Sequence, residues 1–172
     1  MSTLGRQGDM DELLIHVATI EDFPVVSGIL GEAAQWLEQK GMPLWREGEM
    51  DAGRMMSEIE AGLFYLAEVD KEPAGTVRFQ LEDAEIWPDV PAGEAAYIHR
   101  LAVRRRFAGG RVSGALIRWA VERTRSLGLR YLRLDCNVAR PRLRSLYEGF
   151  GFRHHSNRRV GPYHDARFEY EV

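Results

Sequence analysis

Two segments in fixed order carry the residues whose types could do chemistry. The first is Arg104-Arg105-Arg106-Phe107-Ala108-Gly109-Gly110-Arg111. It sits where an apolar, strand-like run gives way to a helical pattern. Closely spaced glycines leave backbone N–H groups open, and the positive end of a helix dipole favours an anion there. The arginines could add charge-assisted contacts to phosphate. No Gly-Lys-Ser/Thr follows, and the glycine spacing differs from the dinucleotide fingerprint, so neither of those nucleotide loops is present. The second segment is Tyr147-Glu148-Gly149-Phe150-Gly151-Phe152. A tyrosine near a helix end could donate a proton to a leaving group.

Between them lies His99, on the strand that feeds the turn. Its imidazole titrates near neutral pH when unperturbed and could act as a base or relay. Glu68, Glu82, Asp83 and Glu85 are further carboxylates that could work through water. Cys136 is the single cysteine, which excludes an intrachain disulfide and reads as a small buried strand residue. His154, His155 and His164 match no zinc spacing, and adjacent histidines on a strand point to opposite faces, so no metal is expected.

Leu13 to Thr19 reads as a strand. Thr19 with Asp22 forms a capping box for the helix that follows. Apolar positions from Phe23 to Leu37 recur at helical spacing, which makes Trp36 a core residue. Glu49 to Ala61 reads as a second helix. Leu63 to Val69 and Ala74 to Leu81 form a hairpin around Lys71-Glu72-Pro73. Glu82 to Gly93 reads as a loop with room to move. Ala95 to Val103 is a strand that would put Tyr97, His99, Leu101 and Val103 on one face and Arg100 on the other. Val112 to Leu127 is a helix ended by Gly128, Tyr131 to Cys136 a strand, Pro141 to Gly149 a helix. Phe150 to His155 and Ala166 to Val172 belong to the last hairpin. The chain is α/β, with a strand–turn–helix unit from Ala95 to Gly128.

A chain of 172 residues suits one domain, here expected over 13–172 with a flexible tail over 1–12. The formal charge of -3 gives no strong pull toward nucleic acid or anionic membrane, and no apolar run spans a bilayer. A cytoplasmic protein is the default expectation.

The turn, the order of elements and the Tyr147 segment together resemble the Gcn5-related N-acetyltransferase (GNAT) family, over roughly Leu14 to Tyr170. The family pattern is Arg or Gln, two residues, Gly, one residue, then Gly or Ala. Ala108 stands at the first position, Arg111 at the glycine and Ser113 at the small residue. The family often carries Asn seven positions before its tyrosine, where this chain has Arg140. The resemblance implies a mixed, mostly antiparallel central sheet flanked by helices, with its two middle strands splayed. It further implies acetyl-CoA as cosubstrate, with the backbone of Leu101, Ala102 and Val103 against the pantetheine. Arg106, Phe107, Ala108, Gly109, Gly110, Arg111, Val112 and Ser113, with Arg140, would bind the cofactor.

Tyr147 then matches the general acid, and His99 a proton relay seen in aromatic-amine members. The acceptor is expected to be a small-molecule primary amine held by Trp45, Asp83, Glu85, Trp87 and Tyr163, with Glu47, Glu82 and Asp165 nearby. Transfer would be direct, in a ternary complex. Two rivals stay open at this point: an acyl-CoA-binding regulatory protein without turnover, and a protein or peptide N-acetyltransferase. Oligomeric state is not legible, although many members of the family are homodimers.

Overall fold

The computed structural model describes residues 11–43, 45 and 49–172. Strand β1 (Leu13–Val17) leads into a short 3₁₀ turn, Ile20–Asp22, and helix α1 (Phe23–Gln39). The expected capping box forms here: the Thr19 N–H donates to Asp22 Oδ2 at 2.8 Å. Helix α2 (Ala52–Glu60) is shorter than its sequence pattern, because Asp51 caps it by accepting from the Arg54 N–H at 2.9 Å. The hairpin of β2 (Phe64–Val69) and β3 (Glu72–Gln80) turns at Asp70 and Lys71, not at Glu72-Pro73. Both turn residues have positive φ, 50° and 67°, as the tightest hairpin turns demand.

Strand β4 (Ala95–Val103) runs through a second 3₁₀ turn, Arg105–Phe107, into α3 (Arg111–Ser126). Then follow β5 (Tyr131–Asn137), α4 (Pro141–Phe150) and the hairpin of β6 (Arg153–Val160) and β7 (Tyr163–Glu171). The seven strands of the described residues form one sheet in the order β1-β2-β3-β4-β5-β7-β6. Every neighbouring pair is antiparallel except β4 with β5. The sheet is therefore mixed and mostly antiparallel, with helices on both faces.

Alternate strand residues feed three apolar clusters, the smallest of them Trp87 with Ala95 and Tyr97. One joins Val77, Phe79, Ile98 and Leu132 to Val112, Leu116 and Ile117 of α3 and Tyr147 of α4. Another joins Phe64 and Leu66 to Val26, Ile29 and Leu30 of α1 and Met55 and Ile59 of α2. Burying each large aliphatic side chain contributes about 1.5–3 kcal/mol, enough to fix which face of each strand looks where. Helix α3 lies close over β3 because residue 75 is glycine. A Cβ there would come within 2.9 Å of Val112 Cγ1 and 3.0 Å of the Ala102 carbonyl.

Two features of the sheet create the site. First, β4 and β5 pair only from Ala95 to Tyr97, against Tyr131 to Arg133, and then part. Second, β4 bulges: Thr76 faces Ala102 and Arg78 faces His99, so β4 carries one extra residue between those pairs. Arg100 sits in the bulge with φ of 54°. The strict alternation expected for this strand is therefore broken. Tyr97 packs against Trp87, while Leu101 and Val103 pack with the Ile98 cluster, and Arg100 shares the cleft with His99 instead of facing away.

Candidate active site

Where β4 and β5 part, a cleft of about 450 Å³ opens through the sheet. His99 and Leu101 line it from β4, Asp135 and Cys136 from β5, Tyr147 from α4 and Asp165 from β7. Among the expected acceptor residues, Trp45, Asp83, Glu85 and Tyr163 also reach it, and so does Arg140. No helix among the described residues is long and apolar enough to cross a membrane.

His99 is held from both sides. Its Nε2 lies 2.7 Å from Asp83 Oδ2, and its Nδ1 lies 3.4 Å from Asp135 Oδ1. Burial pushes the Asp83 carboxyl up, but its hydrogen bond and charge attraction to His99 outweigh that, helped by the Ile86 N–H at 3.0 Å, so its pKa falls below the usual value. For Asp135 burial wins, and its pKa is raised despite His99. The Asp135 Oδ1 atom is buried with no hydrogen-bond partner among the described residues. These three side chains place donor atoms within 4.8 Å of one another. Asp83 stands at the Nε2 side of the ring and Asp135 at the Nδ1 side. The Nε2 atom is hydrogen-bonded to Asp83, whereas Nδ1 faces Asp135 Oδ1 without a hydrogen bond. The arrangement suits a relay or a fixed charge cluster better than a free base.

Asp135 is the partner the sequence reading missed. Its signal was present: an acid between Leu134 and Cys136, both buried, must face the other side of the sheet. Arg100 was missed for a different reason, the bulge. Its guanidinium donates to the Glu49 carbonyl at 2.9 Å and lies 4.9 Å from the Trp45 ring centre. Glu49 in turn accepts from the Tyr163 hydroxyl at 2.6 Å. Arg78, also on this face, donates to Glu58 of α2 at 2.8 Å.

Tyr147 is 6% exposed and packs on Phe152 and Phe168. Burial pushes its pKa well above the ordinary phenol value, so it carries its proton at neutral pH. Cys136 beside it is pushed to about 12 by burial, which leaves it a thiol and a poor nucleophile.

Trp87 is corrected as an acceptor-binding residue. It is 3% exposed and does not line the cleft. Arg167 and Arg133 place their guanidinium carbons 4.7 and 5.2 Å from its ring centre. Arg167 also grips the same loop, donating to Asp89 at 2.6 and 3.0 Å and to the Ile86 carbonyl at 3.0 Å. The segment expected to have room to move is thus strapped to β7, and the strap sets where Asp83 stands. Trp36 is corrected in the opposite sense. It is only half-buried, with the Arg105 guanidinium 3.9 Å from its ring centre. Glu68 faces His16 at 3.4 Å on the β1–β2 pair, away from the cleft. Glu47 lies outside the described residues.

The arginine-glycine turn follows directly from β4. Gly109 and Gly110 take φ of 131° and 94°, which side-chain-bearing residues rarely adopt, and Gly110 caps α3. The Gly114 N–H is bonded to the Gly110 carbonyl, so the amides of Arg111, Val112 and Ser113 precede the helix's own ladder. The arginines turn outward. Arg111 reaches back to Asp11, donating to Oδ2 at 3.1 Å and to the carbonyl at 2.5 Å. Arg106 pairs with Glu72. Ser113 Oγ donates to the Gly110 carbonyl at 3.3 Å. Leu101 lines the cleft, whereas Ala102 is buried against the α1–α2 cluster. Arg140 donates from its guanidinium to the Met42 and Pro43 carbonyls at 2.7 and 3.3 Å.

A sheet split at its single parallel pair, with a glycine-capped helix directly after the fourth strand, defines an acyltransferase-type fold. Residues 30–152 match the acetyltransferase (GNAT) family, and the chain belongs to that family. Over 148 residues it is 32% identical to a protein of Bacillus subtilis (strain 168) described as an uncharacterized N-acetyltransferase, YesJ, with 78% of each chain covered. Its fold is that of a GNAT-family acetyltransferase from Listeria monocytogenes, with a TM-score of 0.80, 23% identity and coverage of 93% of this chain and 95% of that one. It is also that of the PaiA N-acetyltransferase from Thermoplasma acidophilum, solved in complex with coenzyme A, with a TM-score of 0.75, 16% identity and coverage of 94% and 99%.

Proposed function

We propose that this acetyltransferase moves an acetyl group from acetyl-CoA to a primary amine of a small molecule, by direct attack in a ternary complex. The observation that carries the reading is the cleft at the β4–β5 parting. It gives an acyl group an unpaired strand edge on one side and a buried, protonated tyrosine on the other.

In this reading the pyrophosphate rests on the amides of residues 109–113, since the Phe107 and Ala108 N–H groups are bonded within the turn to the Arg104 and Arg105 carbonyls. The open φ values at Gly109 and Gly110 shape that cradle, and the outward turn of Arg111 leaves it clear. PaiA, whose structure holds coenzyme A, shares this fold, which supports the same cofactor here. The β4 edge from Ile98 to Val103 has no β5 partner and offers amides to the pantetheine and the thioester carbonyl. The amine enters past Trp45, Glu85 and Tyr163, where an aromatic ring and carboxylates suit a cation on an apolar body. Its nitrogen forms the new bond to the acetyl carbon as the carbon–sulfur bond breaks. Tyr147 supplies the proton to the departing sulfur. His99, fixed by Asp83 and Asp135, shapes the field at the nitrogen.

Calorimetry with acetyl-CoA, desulfo-CoA and ATP tests the cofactor claim. One-to-one binding that favours acetyl-CoA is the expected result, followed by acetylated product in a screen of small amines. Folded protein that binds no acetyl-CoA overturns the reading. Product found only on peptides or proteins would move the acceptor class.

A further inference from the structure

The acids that line the cleft differ in what holds them. Glu58 is bonded to Arg78 and Arg54. Asp83 and Asp135 are committed to His99. Glu49 accepts from Tyr163. Glu82 and Glu85 are exposed at the rim. Asp165 is different: it is 7% exposed, lines the cleft, and has neither an ion pair nor a side-chain hydrogen bond among the described residues. Yet none of its oxygens is sealed away in the manner of Asp135 Oδ1, so the carboxyl looks into the cleft.

The register explains why it points there. Asp165 lies opposite Asn137 on β5, so it shares the face of Asp135 two residues earlier on that strand. The charges that act on it are those of Asp135 from β5, Glu49 before α2 and His99 from β4, while Arg140 at the start of α4 and Tyr163 on its own strand line the same cleft. Arg158, opposite it on β6, makes no ion pair with it. A buried carboxylate without a cation is costly to fold around, and it is the feature expected where a cation is to be supplied from outside.

On the acetyl-transfer reading given above, we infer that Asp165 is the carboxylate that receives the acceptor's ammonium group and takes from it the proton that must leave before attack. The amine reaches the site as R–NH₃⁺. One proton passes from nitrogen to the Asp165 carboxylate, leaving a neutral amine paired with a neutral acid. The nitrogen lone pair forms the bond to the acetyl carbon, and the carbon–sulfur electrons leave with sulfur. Tyr147 gives its proton to that sulfur and is restored by the second proton lost from nitrogen. The proton on Asp165 then goes to solvent, so each turnover yields an amide, a thiol and one released proton. The carboxyl is tuned for this step: burial, with the charges of Asp135 and Glu49, raises its pKa to about 6. A base near the working pH is the efficient one.

The test has two arms on the full chain. In the first, the Asp165 carboxyl carbon is followed by ¹³C NMR against pH, assigned through its own backbone. The expected midpoint is near 6, and it should fall when 2-phenylethylammonium is added but not with 2-phenylethanol. A midpoint in the ordinary carboxylate range, or one unmoved by the ammonium ion, overturns the inference without any need for turnover. In the second, kcat/KM for acetyl-CoA with 2-phenylethylamine is measured across pH for the parent, Asp165→Asn and His99→Asn. Asp165→Asn should lose about 100-fold or more and flatten the acidic limb, while His99→Asn keeps the limb. A folded Asp165→Asn enzyme with the limb intact overturns the assignment. A parent protein that acetylates no amine in a wider panel instead overturns the transfer reading, and the titration still decides the ammonium site.

Discussion

The two sides of the cleft are built from different materials. The side proposed for the cofactor, from Leu101 to Ser113, is mostly backbone: an unpaired strand edge, two glycines of positive φ and the open end of α3. Its arginine side chains face away, toward Asp11, Glu72 and the Trp36 ring. The side proposed for the acceptor is mostly side chain: His99 between two aspartates, Arg100 against Trp45, and Asp165 with no partner among the described residues. A backbone site tolerates substitution because amides come with every residue except proline. On the proposed reading, this is what lets Ala108, Arg111 and Ser113 occupy positions the family fills otherwise. A side-chain site is as specific as its supports, and those supports lie in the loop strapped by Arg167.

That contrast can be broken or sharpened by measurement. The largest effect is expected at the support. Trp87→Ala should destabilise the fold by about 3–5 kcal/mol in urea denaturation, because it empties a buried site between two guanidinium groups. Trp45→Ala, at a partly exposed position, should instead raise KM for aromatic amines with a smaller change in stability; the reverse ranking would return Trp87 to the acceptor pocket. Next, Tyr147→Phe should lower kcat by about 100-fold while calorimetric acetyl-CoA affinity stays within about twofold. An unchanged kcat would remove the phenol from the reaction.

Smaller still is the stability cost of Asp165. Its folded pKa of about 6 lies above the ordinary aspartate value, so the folded state holds the proton more tightly than the unfolded chain. Its contribution is therefore most favourable in acid and is lost as pH rises through about 6. Asp165→Asn should match the parent near pH 4 and exceed it by about 1–2 kcal/mol at pH 7.5, a figure kept low for solvent in the cleft. A parent that gains on the variant as pH rises would contradict the buried carboxylate. The smallest effect belongs to the backbone side. Arg111→Gly removes an exposed pair with Asp11 worth about 0–1 kcal/mol and should change acetyl-CoA affinity less than about threefold. A large gain in affinity would show that the arginine obstructs the cradle.

Local chemistry made part of this legible from sequence. The Thr19–Asp22 box, the glycines before α3 and the tyrosine at the end of α4 are short-range patterns, and all three stand where the periodicity puts them. The family resemblance then supplied the sheet. What escaped was long-range. Asp135 meets His99 only because β4 and β5 part at that level. Trp87 looked like a loop aromatic until Arg133 and Arg167 closed over it. Asp165 was visible as one acid among many; what distinguishes it is the set of partners it does not have.

The extra residue in β4 at Arg100 has a consequence for how such a protein diversifies. A strand without it would commit every side chain beyond His99 to a face fixed by parity, and changing one wall would exchange the other. With the bulge, the strand behaves as two rulers joined at a slip point. The stretch toward Val103 keeps its register with β3 and its route into α3, while the stretch at His99 and Arg100 presents two successive side chains to the cleft. On the proposed reading, new acceptors are accommodated by rewriting those two positions while the donor's seat stays untouched.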